Sequence, residues 1–175
     1  MGTKKVNNQI DKIFSEHKKK VERAKIIAVN RAARSALAQT VIFIRKAYNI
    51  KSTDIKNEIK VTIASIGQSK FKIKVSHKAI GLIKYGAARQ TKAGVNATIS
   101  KGNRQKFKGA FIATVGKGGH TGVFKRVGKP RLPIKELYGP SAMQLMSSDE
   151  VEKFINSVFL EKFEKELIAA MKYGK

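Results

Sequence analysis

Apolar residues recur at helical spacing near the start of the chain and predict one long helix over residues 8–48. Phe14, His17, Val21 and Ala24 follow one another at intervals of three or four, which places them on one stripe. Such a helix would extend roughly 60 Å, whereas a compact domain of this size is about 40 Å across. We therefore expect its N-terminal half to project and to meet a partner; the alternative is a bent helix folded onto the domain.

Beyond Asn49 the period of the apolar pattern changes from 3.6 to 2, which predicts strands. Apolar residues alternate with polar ones over 59–63 and again over 71–75. This pattern indicates an antiparallel hairpin with one apolar face and a turn at residues 67–69. Three further apolar stretches predict strands: 95–99, 109–115 and 123–127.

A second amphipathic helix is predicted over residues 147–173. Ser147 followed by Glu150 has the spacing of a capping box at its start. The order helix, strands, helix predicts an α+β fold, in which both helices pack on an antiparallel meander. We expect a single domain over residues 1–175, whose 59–135 region is a basic sheet with Gly-rich loops.

Composition excludes several classes of protein. The 175 residues include no cysteine, so disulfides, thiolate metal sites and thiol nucleophiles are excluded. The longest stretch without Asp, Glu, Lys or Arg is Leu137–Ser148, only 12 residues. A membrane-spanning helix needs about 20 apolar residues. No membrane association is expected.

Charge is distributed unevenly along the chain. The whole sequence carries 37 Lys and Arg against 12 Asp and Glu, a formal net charge of +25. Residues 59–135 contain 18 of these cations and no acid, whereas residues 136–175 have a net charge of −2. A stretch of 77 residues without a carboxylate cannot neutralise itself, so we expect an anionic neighbour.

No constellation of residues in the sequence predicts catalysis. The three histidines have neither a carboxylate nor a second histidine at metal-ligand spacing. The glycine-rich segment 116–122 fails the phosphate-loop pattern, because glycine follows Lys117 where Ser or Thr is required. We therefore predict no enzyme, no catalytic residue, no cofactor, no metal and no small-molecule substrate.

Cations interleaved with aromatic residues predict a basic face. Period-2 alternation directs the rings to one side of a strand and the cations to the other. A sequence-nonspecific nucleic-acid-binding architectural protein is the alternative function that this face suggests, and a merely solvated sheet face is the alternative interpretation. The predicted basic face comprises Lys70, Lys72, Lys74, Lys106, Lys108, Lys125 and Arg126.

Four ordered segments carry a more specific signal: GLIKYGAARQTKAGV at 81–95, GAFIAT at 109–114, GHTGVFKR at 119–126 and RLPIKELYGPS at 131–141. In this order they resemble the bacteriophage minor tail protein Z family. One departure is the doubled alanine before Arg89, where the family pattern has one.

The resemblance implies a structural virion protein that completes the head-proximal end of the tail and helps to join tail to head. It implies a long helix packed on an antiparallel sheet, like other head–tail connector subunits, and a location at the neck after synthesis in the host cytoplasm. The residues that carry it are expected to dock partners: Gly86, Arg89, Gly94, Gly119, Gly122, Arg131, Pro133, Tyr138, Gly139 and Pro140.

Sister subunits in a ring, commonly six-fold, are the assembly that the resemblance implies. Six copies would carry six times +25, or +150, whereas duplex DNA threaded through a ring roughly 40 Å deep offers about 24 negative charges. We therefore expect acidic surfaces of adjoining tail tube, tail terminator or neck proteins as the main partners. Nonspecific contact with genomic DNA is expected second.

Overall fold

A computed structural model of the chain describes residues 2–66, 68, 70–86 and 88–173, with side chains from residue 11 onward. A long helix near each end flanks a series of short strands and two short helices, which confirms the predicted α+β class. The elements in chain order are α1 (Gly2–Ala47), α2 (Ser52–Asn57), β1 (Ile59–Thr62), β2 (Lys72–Val75), β3 (Ala79–Gly81), β4 (Arg89–Thr91), β5 (Gly94–Ala97), β6 (Gln105–Lys108), β7 (Ala110–Val115), β8 (His120–Arg126), β9 (Ile134–Glu136), β10 (Tyr138–Ser141), α3 (Ala142–Met146) and α4 (Asp149–Tyr173).

Contacts divide the chain into two compact units, and the backbone passes from one to the other within α1, β1, β2 and α4. The first unit contains α1 up to Gln39, the segment Val61–Ile73, and α4 from Lys153 onward. The second contains Thr40–Lys60 and Lys74–Glu152.

The first unit is built on a seam of small side chains along α1. Five alanines on this helix are almost fully buried: Ala24, Ala28, Ala32, Ala33 and Ala36. Small residues let another element approach the helix axis closely, at little cost in side-chain entropy. On α4, Val158 and Ala170 are buried, and an ion pair of 3.1 Å joins Arg31 on α1 to Glu166.

Asn30 attaches the extended segment after β1 to α1. Its Nδ2 donates to the carbonyl of Ala64 at 2.9 Å, and its Oδ1 accepts from the Ala64 amide at 2.8 Å. The side-chain amide thus satisfies both backbone groups of a buried residue, as a neighbouring strand would.

The second unit has its core between two three-stranded antiparallel sheets, β4-β5-β6 and β7-β8-β9. Within the second sheet, Ile112 is opposite Val123 and Phe111 is opposite Phe124. Val123 and Ile112 face inward, because alternate residues of a strand point to opposite sides. The core residues are Leu82, Val95, Ala97, Ala110 and Val123, with Leu137 packed against them.

The antiparallel strands are distributed over four small sheets rather than one continuous meander. Gly109 alone separates β6 from β7, and its φ of +69° turns the chain sharply there. Between β1 and β2, the predicted turn at 67–69 falls partly outside the described residues. Val61, Ile63 and Ile73, on the expected apolar face of this hairpin, remain more than a third exposed.

Capping differs from the pattern predicted at Ser147. The capping box belongs instead to α3, where the Ser141 hydroxyl accepts from the Gln144 amide and the Gln144 side chain accepts from the Ser141 amide. The hydroxyl of Ser148 accepts from Val151 at 3.4 Å in the first turn of α4. The helix therefore starts one residue later than a box at Ser147 requires. Over the described residues, no helix combines the length and apolarity needed to cross a bilayer.

The pairing of Asn30 with Ala64 generates a stability prediction. Asn30→Ala leaves a buried amide and a buried carbonyl without partners, which should lower the free energy of unfolding by about 2 kcal/mol. Urea denaturation followed by circular dichroism measures the change. Ser15→Ala, which removes an exposed hydroxyl of the same helix, should change it by less than about 0.5 kcal/mol. Equal effects of the two substitutions would contradict the role assigned to Asn30.

Candidate docking surface

The side of the sheet β7-β8-β9 opposite Val123 and Ile112 carries a group of interacting aromatic and charged side chains. Phe111, which is half-buried, and Phe124, which is buried, lie there with ring centroids 6.3 Å apart. The Arg126 guanidinium sits over the Phe111 ring at 5.7 Å, and the His120 ring meets Phe124 edge-on at 6.3 Å. We call the group formed by Phe111, His120, Phe124, Arg126, Glu136 and Tyr138 the aromatic face.

Glu136 is the centre of this face and the single acidic residue between 59 and 148. Its side chain is only 13% exposed. One carboxylate oxygen lies 3.0 Å from His120 Nε2, and the other accepts from the Tyr138 hydroxyl at 2.9 Å. The carboxylate therefore fixes the orientation of two exposed rings, one on β8 and one on β10.

Two glycines make room for this carboxylate. A Cβ at Gly122 would lie 2.8 Å from Glu136 Oε1, and one at Gly81 would lie 3.1 Å from the same atom. The Gly122 Cβ would also lie 3.1 Å from the Phe124 ring. Gly122, predicted as a docking residue, thus serves the aromatic face by having no side chain.

The hydrogen bond to Glu136 alters the acidity of Tyr138. A carboxylate acceptor stabilises the neutral phenol, so this bond, together with smaller contributions from partial burial and the negative charge of Glu136, raises the pKa of Tyr138. The Tyr138 side chain is half exposed, so it presents a protonated hydroxyl and a ring face to a partner.

Gly139 and Pro140 serve the interior. Tyr85 is fully buried and donates its hydroxyl to the Pro140 carbonyl at 2.6 Å. A Cβ at Gly139 would lie 2.8 Å from Tyr85 Cδ2. Burial of the ring, with a smaller contribution from Tyr48, raises the pKa of Tyr85 well above its usual range. These two predicted docking residues are needed to seat a buried tyrosine.

Three other predicted glycines are needed for backbone geometry. Gly94 is buried at φ +140°, and a Cβ there would collide with the Phe107 carbonyl. Gly119, at φ +68°, lies in the turn before β8. The amide of Gly86 donates to the Asn49 carbonyl at 2.7 Å; Gly86 also lines a polar cavity of about 500 Å³ that includes Arg45, Lys51 and Asp54.

The remaining predicted docking residues are exposed and lie on separate elements. Arg89 begins β4, Arg131 and Pro133 lie in the segment between β8 and β9, and Tyr138 begins β10. Of these four, the structure includes only Tyr138 in the aromatic face. Their role in docking stays a prediction.

The seven residues of the predicted basic face are all exposed, on three different sheets or beside them. Lys70, Lys72 and Lys74 lie at or within β2, and Lys106 and Lys108 lie on β6. Lys125 and Arg126 are consecutive on β8, so they point to opposite sides of the sheet. Lys125 and Arg126 therefore do not share one face of that sheet, and the role of the seven cations as a basic face stays a prediction.

Lys135 is a cation that the sequence interpretation did not single out. On the adjacent strands β8 and β9 it stands directly opposite Lys125. Like charges directly opposite each other on neighbouring strands destabilise the pair. The alternation of strand residues could have revealed Lys135, Phe111 and Glu136 only after the register of β7, β8 and β9 was known.

Charge compensation is almost absent around these strands. Between residues 59 and 135, the only Lys or Arg with a carboxylate within 4 Å among the described residues is Lys84, which lies 3.5 Å from Asp54. The other 17 of the 18 cations have no such partner. Within the described part of the chain, no group of three or more His, Asp or Glu is placed to hold a metal.

Gly94 provides a test of whether a motif glycine serves the fold. Gly94→Ala forces a side chain into a left-handed conformation and against the Phe107 carbonyl, and should lower stability by about 3 kcal/mol or more. Gly118→Ala is the matched control, because its Cβ meets open space and its φ is not positive. Thermal unfolding of both variants distinguishes the two sites. A stable Gly94→Ala variant that only fails to assemble would contradict the backbone role.

Tyr138 provides a test of the aromatic face by titration. Glu136→Gln removes the charged acceptor and should lower the pKa of Tyr138 towards the usual phenol value of about 10. The raised pKa contributes stability below the unfolded-state pKa, and this contribution is lost as the pH rises through the folded-state pKa. Nuclear magnetic resonance of the tyrosine rings across the pH range measures the change in the pKa of Tyr138. The Tyr173 ring, which lies near Lys172, is the internal control. An unchanged Tyr138 titration would contradict the assigned hydrogen bond.

Known phage proteins are similar to this chain over almost its whole length. The model of the family described as prophage minor tail protein Z (GPZ) matches residues 3–174. The tail completion protein of Escherichia phage N15 is 29% identical, over 90% of this chain and 89% of that protein. Tail completion protein Z of Escherichia phage lambda is 26% identical, over 99% of this chain and 96% of that protein. No solved structure matches the chain.

The matched range contains all four ordered segments and the whole aromatic face. The family resemblance noted from those segments is confirmed. This chain belongs to the prophage minor tail protein Z family.

Proposed function

We propose that this chain is a structural phage protein that completes the head-proximal end of the tail and helps to join the tail to the head. The observation that carries the proposal is the family match over residues 3–174, together with two relatives that both bear the name tail completion protein. The protein acts by occupying a place in the virion, with no enzymatic activity of its own, after synthesis in the host cytoplasm.

Unpaired charge supports an acidic partner. The second unit contains 16 of the 18 cations between residues 59 and 135, and 15 of these have no carboxylate within 4 Å among the described residues. Their charge is balanced from outside the unit. Acidic surfaces of tail tube, tail terminator or neck proteins supply this charge, and they set the rate and register of encounter more than the affinity.

The edge of the sheet at Lys125 and Lys135 is the strongest candidate for that contact. Two lysines directly opposite each other are held near enough to repel, and a carboxylate placed between them relieves the repulsion. The aromatic face lies on the opposite side of the same sheet from Lys125 and Lys135. There Glu136 fixes the orientation of the exposed His120 and Tyr138 rings, which favours a separate contact with apolar side chains.

Sister subunits arranged in a ring, six-fold in the usual case, present this edge repeatedly around the end of the tail tube. Contact with genomic DNA passing through such a ring is secondary, because the duplex neutralises only a small part of the charge. The comparisons lend no support to a nucleic-acid-binding architectural protein as the primary function.

Gold-labelled antibody against the chain, viewed on virions by electron microscopy, tests the location. We expect the label where the tail meets the head. Label on the capsid shell or at the distal fibre tip would contradict the proposal.

Lys125→Glu tests the electrostatic contact without weakening the fold. The new carboxylate faces Lys135 across the strand pair, so stability should be unchanged or higher by about 0.2–1 kcal/mol. Association with tail ends should nevertheless slow by about tenfold, because the local charge falls from two cations to none. Complementation of a phage lacking the gene, with the protein in purified virions quantified, measures this loss.

Lys153→Glu is the matched control for the charge change. It makes the same change in net charge at an exposed position on α4, and should leave incorporation unchanged. Equal incorporation of Lys125→Glu and wild type would refute the assigned contact edge, and equal loss in both variants would indicate a nonspecific effect of net charge.

A further inference from the structure

The first part of α1 carries an apolar stripe that no described element of the first unit covers. Every side chain from residue 11 to residue 20 is exposed. Ile13 is 54% exposed, Phe14 71% and Val21 48%. Together with His17 they lie on one side of the helix, because the four positions fall within an arc of about 100° around the helix axis. We call Ile13, Phe14, His17 and Val21 the N-terminal stripe.

This stripe continues the seam that α4 covers. Ala33 and Ala36 line one groove with Ile155 and Phe159, and further back along α1 Ala24 lines another with Ala170 and Tyr173. The two helices are therefore antiparallel, and the last described turn of α4 lies beside Glu16, Lys20 and Ala24 of α1. The N-terminal stripe lies on the neighbouring side of α1, where its side chains stay exposed.

A matching surface exists on the outer side of α4. Leu160 is 64% exposed, Ile168 63% and Met171 37%; at spacings of eight and three residues they share one side of the helix. Glu161 and Glu164 lie on or beside this side and are exposed. We call Leu160, Glu161, Glu164, Ile168 and Met171 the outer α4 face.

The charges of the two surfaces are opposite. Residues 11–25 carry six Lys and Arg against three acids, whereas Asp149–Tyr173 carries six acids against four Lys. Lys18 and Lys20 flank the N-terminal stripe on its two sides, by helical spacing. Two N-terminal stripes facing each other would bring like charges together, so pairing of the stripe with itself is disfavoured.

One molecule cannot bring these surfaces together. The outer α4 face is on the side of α4 away from the buried Val158 and Ala170, which are on its α1 side. Tyr173 of α4 shares a groove with Glu16 and Lys20 of α1, neither of which belongs to the N-terminal stripe, so α4 passes beside the stripe without covering it. The partner must be another copy or another protein.

We propose that the N-terminal stripe of one copy packs on the outer α4 face of the next copy. This contact rests on the ring of sister subunits proposed above and names the surfaces that form it. Two different patches meet, so the contact is head-to-tail and repeats until a ring closes.

The size of the contact explains why it needs repetition. The N-terminal stripe extends from Ile13 to Val21, about 12 Å along the helix. A helix covers a band about 10 Å wide, so each side contributes roughly 120 Å². A stable pairwise interface usually buries about 800 Å² on each side. An isolated pair is therefore weak, and closure of the ring at the end of a tail holds it.

The absence of cysteine from the sequence makes disulfide trapping clean. Copies bearing Phe14→Cys are mixed with differently tagged copies bearing Ile168→Cys, both free in solution and within virions assembled from the two. We expect the mixed disulfide between copies. Lys12→Cys, on the opposite side of α1 from the N-terminal stripe, is mixed with Ile168→Cys as the control and should give at least about fivefold less product.

Charge reversal tests the complementarity. Lys18→Glu with Lys20→Glu in the Phe14→Cys copy should reduce the mixed disulfide about fivefold. Glu161→Lys with Glu164→Lys in the Ile168→Cys copy should restore it. All four charge positions are exposed, and circular dichroism of each variant verifies that the helices are intact.

Two outcomes would overturn this contact: Phe14→Cys copies crosslinking mainly to each other, or no mixed disulfide in virions that contain both variants. Absence of the mixed disulfide with the gold label still at the neck refutes the contact and leaves the proposed function standing. A mixed disulfide in a protein labelled elsewhere on the virion refutes the proposed function and leaves the contact standing.

Discussion

Repulsion among unpaired cations constrains the second unit, since it contains 16 Lys and Arg from residues 59–135 and only Lys84 among them has a carboxylate within 4 Å in the described part of the chain. The short strands keep these charges hydrated on the outside, and the core between the two sheets is made of apolar residues alone. Salt ions screen such charges in the isolated chain, over about 10 Å at moderate ionic strength. A partner's carboxylates displace those ions, so association and charge compensation are one event.

Glu136 shows what the one carboxylate of this acid-poor region does: it holds neighbouring side chains in place and does not neutralise lysines. The one acid between residues 59 and 148 is mostly buried, and it is used for orienting His120 and Tyr138. Glycines at positions 81 and 122 leave space for it. A carboxylate so enclosed organises exposed rings and contributes little to neutralising distant lysines, whose charges stay available to a partner.

The long helix, the C-terminal helix and the α+β class followed from sequence, because α1 and α4 extend over many turns of one period. The short strands β3 and β10 did not, since three or four residues that include Gly81, Gly139 or Pro140 show no alternation. The capping box at Ser141 was missed for a related reason: a helix of five residues has no apolar period to mark its start. Local patterns reveal long elements, whereas short ones depend on tertiary contacts.

The sequence predicted only part of the candidate surface, and there is a physical reason why the rest was missed. The ordered segments from 81 to 141 were identified as motifs, yet six of the ten residues predicted to dock partners have a structural role. Gly119 has a positive φ, and the other five make close backbone or packing contacts: Gly86, Gly94, Gly122, Gly139 and Pro140. A motif in a sequence records a constraint without revealing whether packing or binding imposes it. The pairing of Lys125 with Lys135, by contrast, depends on the register of β8 and β9. A loop separates these strands in the sequence, so the register cannot be read from the pattern of residues alone.

The residues that hold the fold together and the residues exposed for contact are different, so the surface of such a subunit can vary while its core stays the same. Glycines that permit close backbone approaches hold the sheet together, while exposed lysines and the outer α4 face contact nothing that the core requires. Charges on these surfaces can therefore change with little cost in stability, since exposed substitutions usually alter it by less than about 0.5 kcal/mol. The same substitutions alter association strongly, because like charges brought together at an interface cost several kcal/mol. One fold can thus be fitted to different neighbours through its surface charges, with the buried glycines and Tyr85 left as they are.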